Sequence, residues 1–270
     1  MSAVQYLIFL AVSFGASIAG AICGLGGGVI IKPVLDLVGC ASAQTINFLS
    51  GCTVLAMTSY SVVKSVLAKE HKVQFSVGTP LAIGGCIGGI IGKQLYTTLG
   101  VILASHNIVS AIQSAVQSFL LALVTIGVFI YEIHKPSCGS YHTHRIWQCV
   151  IIGLFLGALS SFLGIGGGPM NLMLLSICFS MDMKTAAANS LYIILFSQFT
   201  SLMTSIVTGS VPDFEWPALI LMIAGGILGG MAGRRINKKI DNAAVKKLYM
   251  ALMVVIIGIC LFNTWKYLNA

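Results

Sequence analysis

Two glycine blocks carry the clearest chemical signal in the chain. Gly24-Leu25-Gly26-Gly27-Gly28 is answered 140 positions later by Gly164-Ile165-Gly166-Gly167-Gly168. Adjacent glycines allow positive φ and let another backbone or a ligand come close. A helix that restarts after such a break presents free N–H groups and the positive end of its dipole, which favours anions. Both blocks lack the G-x-x-x-x-G-K-[ST] pattern and follow no strand, so neither is a nucleotide-phosphate loop. The plainer reading of the glycines is tight helix packing.

Other polar groups stand in otherwise apolar surroundings. Lys32 lies four residues past Gly28 and four before Asp36. That is the helical spacing of an ion pair, and it also puts a cation near an anion path. Thr53, Asn171, Asn189, Ser190 and Gln198 sit in charge-free stretches, as does Asn47. Their hydroxyl and amide donors suit an oxyanion, or they bond neighbouring helices. His142 and His144 lie near Cys138 and His134, but the spacing fits no metal site with three or four fixed ligands. The eight cysteines include no C-x-x-C pair and read as small buried residues. No catalytic residue, metal or cofactor is expected.

The elements that must hold these groups are membrane helices. Of 270 residues, 57% are hydrophobic and only 8% charged, against about 25% charged in a soluble domain. No Asp, Glu, Lys or Arg occurs in 1–31, 37–63, 94–131 or 146–181, and a span needs about 20 apolar residues. Runs such as Leu120–Ile130 do not alternate, which argues against a β-barrel. The expected fold is all-α and polytopic. It has no soluble catalytic domain and no cleaved leader, because residues 1–5 bring no basic charge before the first apolar run.

Ten segments are expected, near 4–22, 28–39, 43–66, 75–98 and 108–131, then 147–163, 168–180, 184–208, 214–233 and 245–265. They divide the chain into a first repeat (1–131), a polar linker (132–146) and a second repeat (147–270). Gly84, Gly85, Gly88, Gly89 and Gly92 recur at an offset of 141 as Gly225, Gly226, Gly229, Gly230 and Gly233, in the small-xxx-small pattern of helix packing. An odd number of segments per half inverts the second against the first, as in many transporters. The segments after the glycine blocks are about 12 residues long, too short to span. They are expected to be broken or re-entrant helices whose N-termini meet near the bilayer midplane. A break in lipid survives only where it is buried or lines a wet cavity.

Six of the fifteen basic residues fall in 234–247, so the net charge of +8 follows the positive-inside rule and is no nucleic-acid footprint. With that segment cytoplasmic, both termini are external in the cell's inner membrane, and Lys93 near an external end is an exception. Partners are then the bilayer and a small anion. The oligomeric state is open.

The stretches 20–35 (GAICGLGGGVIIKPVL), 160–175 (SSFLGIGGGPMNLMLL) and 185–191 (TAAANSL), with the Gly-rich fourth segment of each half, resemble the TauE/SafE family of sulfite exporters over essentially the whole chain. The resemblance implies a secondary transporter, not an enzyme, that moves sulfite, an organosulfonate or a related sulfur-containing anion. Site residues are then expected at Gly24, Gly26, Gly27, Gly28, Lys32, Thr53, Gly164, Gly166, Gly167, Gly168, Asn171, Asn189, Ser190 and Gln198. An anion channel is the alternative. A thiol–disulfide electron conduit is a weaker one, because shifting Cys23, Cys40, Cys86 and Cys178 by the repeat offset meets no second cysteine.

Overall fold

The computed structural model describes residues 3–68, 73–105, 110–134, 145–165 and 167–268. Gly166, the loop 69–72, and Cys138, His142 and His144 of the linker lie outside these. The described residues form helices and no strands. The helices are α1 (Ala3–Cys23), α2 (Gly28–Val38), α3 (Ala43–Leu67), α4 (Phe75–Ser105) and α5 (Ser110–His134), then α6 (Ile146–Leu163), α7 (Gly168–Phe179), α8 (Met183–Val207), α9 (Trp216–Lys239) and α10 (Asn242–Leu268). Eight of them are long and apolar enough to cross a membrane. Trp147, Trp216 and Trp265 are exposed near helix ends, where amphipathic rings meet a bilayer's interface.

The exceptions are α2 and α7, with 11 and 12 residues. At about 1.5 Å per residue they cover roughly half of a 30 Å hydrocarbon core. Each returns beside the helix before it. α1 starts at the end of the bundle where Tyr6 bonds Glu215, and α2 finishes at that same end beside Lys266. α7 finishes at the opposite end, near the bond from the Lys184 N–H to Asn242 Oδ1 (3.1 Å). That second end carries Lys184, Arg234 and Lys238 and is called the basic end below; the first is the acidic-loop end, after Asp213 and Glu215.

The two halves pack in one pattern. α1 packs on α9 as α6 packs on α4, and α3 meets α9 as α8 meets α4. α2 touches α3 and α10 as α7 touches α8 and α5. The glycine helices explain how this is done. In α4, a Cβ at Gly84, Gly88 or Gly92 would overlap a backbone carbonyl of α6, and Gly85 and Gly89 face α8. In α9, Gly225, Gly229 and Gly233 face α1, and Gly226 and Gly230 face Thr53 and Met57 of α3. Each glycine helix is therefore pressed between two partners. In lipid, where apolar surface gives no driving force for association, this close approach of backbones is what holds helices together.

Some boundaries differ from expectation. α4 runs on to Ser105, and the basic 234–247 segment is mostly helical, with its turn at Ile240–Asp241. Charge ends a span but not a helix. Lys238 and Lys239 occupy the last turn of α9, where cations suit the dipole.

Gly88→Leu or Gly229→Leu is expected to push apart a helix pair and to cost at least about 1–3 kcal/mol. A lower midpoint of thermal unfolding in detergent checks this, with Gly127→Leu, which faces open space, as the control.

Candidate functional site

The two glycine breaks touch. A Cβ on Gly28 would lie 2.8 Å from the Ile165 carbonyl oxygen, and one on Gly168 would lie 2.7 Å from Val29 Cγ2. The N-termini of α2 and α7 thus meet at mid-depth. Gly24, Gly26 and Gly27 have φ of 75°, 79° and 74°; Gly164, Gly167 and Gly168 have 69°, 120° and 60°. These left-handed conformations favour glycine at every position. Neither helix start has a side-chain cap, so the first-turn N–H groups are left without one. Pro169, in the first turn of α7, removes one donor there.

The apolar filling of the junction comes from Val54 and Ile194, themselves 140 positions apart. Gly26 abuts both, Gly28 abuts Val54, and Gly167 abuts Ile194. Around this filling lie buried polar atoms without hydrogen-bond partners: Ser17 Oγ, Asn47 Oδ1, Ser50 Oγ and Asn171 Oδ1. Ser17 sits beside Gly27, Asn47 beside Gly164, and the Asn171 amide lies over Gly167. An unpaired buried polar group costs about 1–3 kcal/mol, so such a cluster suits a ligand that supplies the missing bonds.

The remaining expected residues divide by role. Ser190 donates to the Gly24 carbonyl at 2.6 Å and so pins the first break. Asn189 accepts from the Gln74 N–H (3.0 Å) and donates to the Thr185 carbonyl (2.9 Å), which anchors the start of α4. Thr53 bonds the Leu49 carbonyl (2.8 Å) and packs on Gly226, away from the junction.

Lys32 does something the spacing did not suggest. Its ammonium donates to Gln117 Oε1 (2.6 Å) and to the carbonyl of Leu163 (2.9 Å), the last residue of α6. Gln117 Nε2 donates to the Phe162 carbonyl (2.6 Å). The helix carbonyls freed by the second break are thus capped by a lysine from the first half. A mid-membrane lysine costs about 2.5–3.5 kcal/mol, and each hydrogen bond to a charged group returns about 1.5–3 kcal/mol. Two such bonds at the negative end of a helix dipole outweigh the burial.

Two narrow hollows approach the junction from opposite ends. The one at the basic end has a volume of about 50 Å³ and is lined by Ser61, Val62, Ser65, Ala187, Arg234 and Asn237, with Lys184 and Lys238 at its wall. The other has about 30 Å³ and is lined by Ser201, Leu202, Ser205, Asn47, Lys93 and Tyr96, with Gln198 and Gly164. Each has room for a water or two. The two linings draw largely on the same positions of the two halves. Ser61, Val62, Ser65 and Asn47 recur 140 residues on as Ser201, Leu202, Ser205 and Ala187, and Lys93 and Tyr96 recur 141 residues on as Arg234 and Asn237. Lys93, out of place under a charge rule for loops, is the counterpart of Arg234. Arg234 is held by bonds to the Ser61 and Lys64 carbonyls, both 3.0 Å.

Ser17, Ser50, Ser61, Ser65 and Arg234 were not singled out from the sequence. Small hydroxyls in apolar runs look like packing residues, and Arg234 looks like one charge in a basic loop. The usable signal was the repeat offset, which pairs Ser50 with Ser190 and Arg234 with Lys93. The seven described cysteines are all free, with Cys23, Cys149 and Cys260 buried.

Lys32→Met leaves the Leu163 carbonyl buried without its cap. A loss of about 1–3 kcal/mol is expected, read as a lower unfolding midpoint in detergent; Lys32→Arg should keep most of the stability.

A family model described as sulfite exporter TauE/SafE matches residues 9–260. The probable membrane transporter protein YunE of Bacillus subtilis is 25% identical over 269 residues, covering 94% of this chain and 96% of its own length. The probable membrane transporter protein MamO of Magnetospirillum gryphiswaldense is 22% identical, and that of Paramagnetospirillum magneticum 23%, covering 90% and 93% of this chain. The chain spans 43% of the length of each MamO protein. No solved structure matches the chain. A polytopic helical bundle with paired glycine breaks and a family match across nearly its whole length make the chain a membrane transporter of the sulfite exporter TauE/SafE family.

Proposed function

We propose that the protein is a secondary carrier that exports sulfite, an organosulfonate or a related small sulfur-containing anion by alternating access between two inverted repeats, residues 1–131 and 147–270, joined by the linker 132–146. The observation that carries this is the pair of hollows lined by equivalent positions of the two halves and reaching one glycine junction from opposite ends. Opening one hollow while closing the other exchanges the roles of the halves, which is how inverted repeats alternate. Each hollow carries a cation at the equivalent place, Arg234 or Lys93, and serine hydroxyls that can turn from helix carbonyls to oxyanion oxygens. The N-termini of α2 and α7 add their dipoles at the junction.

Under the positive-inside rule the basic end is cytoplasmic and both termini are external, in the cell's inner membrane. An anion leaving a cell negative inside gains about 2.3 kcal/mol per charge per 100 mV. Val54 and Ile194 fill the space between the hollows, which favours a carrier over an open channel. The seven described cysteines form no disulfide.

Proteoliposomes screened with sulfite, sulfate, thiosulfate, taurine and sulfoacetate are expected to show saturable flux of at least one sulfur-containing anion; no flux of any would end the substrate assignment. Gly167→Val, which forces a branched side chain into φ 120° against Asn171 and Ile194, is expected to abolish flux while the protein still inserts and elutes as a folded species. Lys93→Gln and Arg234→Gln should each weaken apparent affinity by about tenfold, the loss of one charge-assisted bond. The effect should be strongest for anion added on the side that the mutated hollow faces.

A further inference from the structure

The hollows obey the repeat, but the charges on the short helices do not. The positions equivalent to Lys32 and Asp36 of α2 are Leu172 and Ser176 of α7. Lys32 is accounted for by its capping of α6. Asp36 is not. It is 3% exposed, and its Oδ1 has no hydrogen-bond partner. It lines a cavity of about 470 Å³ at the acidic-loop end, together with Tyr96, Gln113, Ser114, Lys266 and Tyr267. Tyr96 is also a wall of the Lys93 hollow, so the two spaces are neighbours.

We propose that Asp36 is the proton-binding site of this transporter, loaded from the acidic-loop side through that cavity, and that its occupancy is coupled to anion movement. The coupling rests on the carrier reading above; the proton site does not. The step is simple: the carboxylate takes a proton from hydronium in the cavity, giving a neutral carboxyl and water. A metal cation is a poor occupant, because the surroundings are already cationic. Lys32 acts on Asp36 from its own helix and Lys266 from α10, where Tyr267 and Cys260 in turn feel the Asp36 charge. Tyr96 faces it from α4, with Lys93 beyond it acting on Lys32. α5 contributes the uncharged Gln113 and Ser114, and the start of α3 contributes Ser42, Ala43 and Gln44. On α1 the ionisable side chains are Tyr6, bonded to Glu215, and Cys23 near the first break. A proton is held by one covalent bond to a carboxylate oxygen, whereas a hard metal cation needs about six or more oxygen ligands. Lys32 lies one turn away, so neutralising Asp36 changes the field on the residue that caps the second glycine break. That gives the proton a physical route to the junction.

Two measurements test this on the full-length protein. The first is an infrared difference titration in lipid. A protonated-carboxyl band that grows on acidification and is missing in Asp36→Asn supports the site; an identical band in Asp36→Asn, or none in the wild type, overturns it. The second uses proteoliposomes with an entrapped pH dye and a gradient of a sulfonate that does not itself titrate, with sulfite measured separately. Wild-type flux should change with pH on the acidic-loop side by up to about tenfold per unit, the limit for one titrating group, and the gradient should move protons. Asp36→Asn should show flux independent of pH and no proton movement, and Asp36→Glu should restore both. Proton movement that persists in Asp36→Asn overturns the coupling. A titrating Asp36 band in a protein that moves no anion would uphold the proton site while the carrier reading fails.

Discussion

Everything in this molecule turns on one constraint: a backbone carbonyl or N–H inside a bilayer must find a partner within the protein. The chain breaks two helices at mid-depth and so exposes such groups twice. It meets the cost at the second break by running Lys32 and Gln117 across from the first half to the carbonyls of Leu163 and Phe162. At the first break Ser190 of the second half bonds the Gly24 carbonyl. Each half therefore braces the other's break.

Because the breaks are braced from the opposite half, their positions are tied to helix arrangement. α4 and α9 are the rigid parts of that arrangement. Their glycines bring backbones so close that a single methyl group would collide with a carbonyl on the partner helix. Small residues thus serve two ends here. On α4 and α9 they lock helices together; between α1 and α2, and between α6 and α7, they let the backbone turn where other residues would be strained. The hollows lie between the locked pairs and end at the junction, which puts a polar path next to an apolar filling of Val54 and Ile194.

Symmetry explains the hollows, and departure from it explains the charges. Serines, a cation and an amide or phenol recur at equivalent places in both halves, so the two hollows offer similar chemistry. Lys32 and Asp36 have no counterparts in α7. The buried charge of the short helices is thus confined to α2.

The sequence by itself determined the helical membrane class, the ten segments, the two short helices and the packing role of the paired glycine clusters. It could do so because hydropathy, charge gaps and glycine spacing are local properties that lipid punishes when they are wrong. Only the tertiary structure decided where the polar groups sit and what they bond. Lys32 sits at ion-pair spacing from Asp36, yet its ammonium caps a helix 131 residues away. Asn189 anchors the start of α4 and Thr53 packs on Gly226, contacts that no local spacing announces. Ser17, Ser50 and Arg234 looked like filler or loop charge, yet they lie around the junction or line a hollow. A hydrogen bond depends on direction and on who else is within 3 Å, and in this bundle the partners come from the other half of the chain.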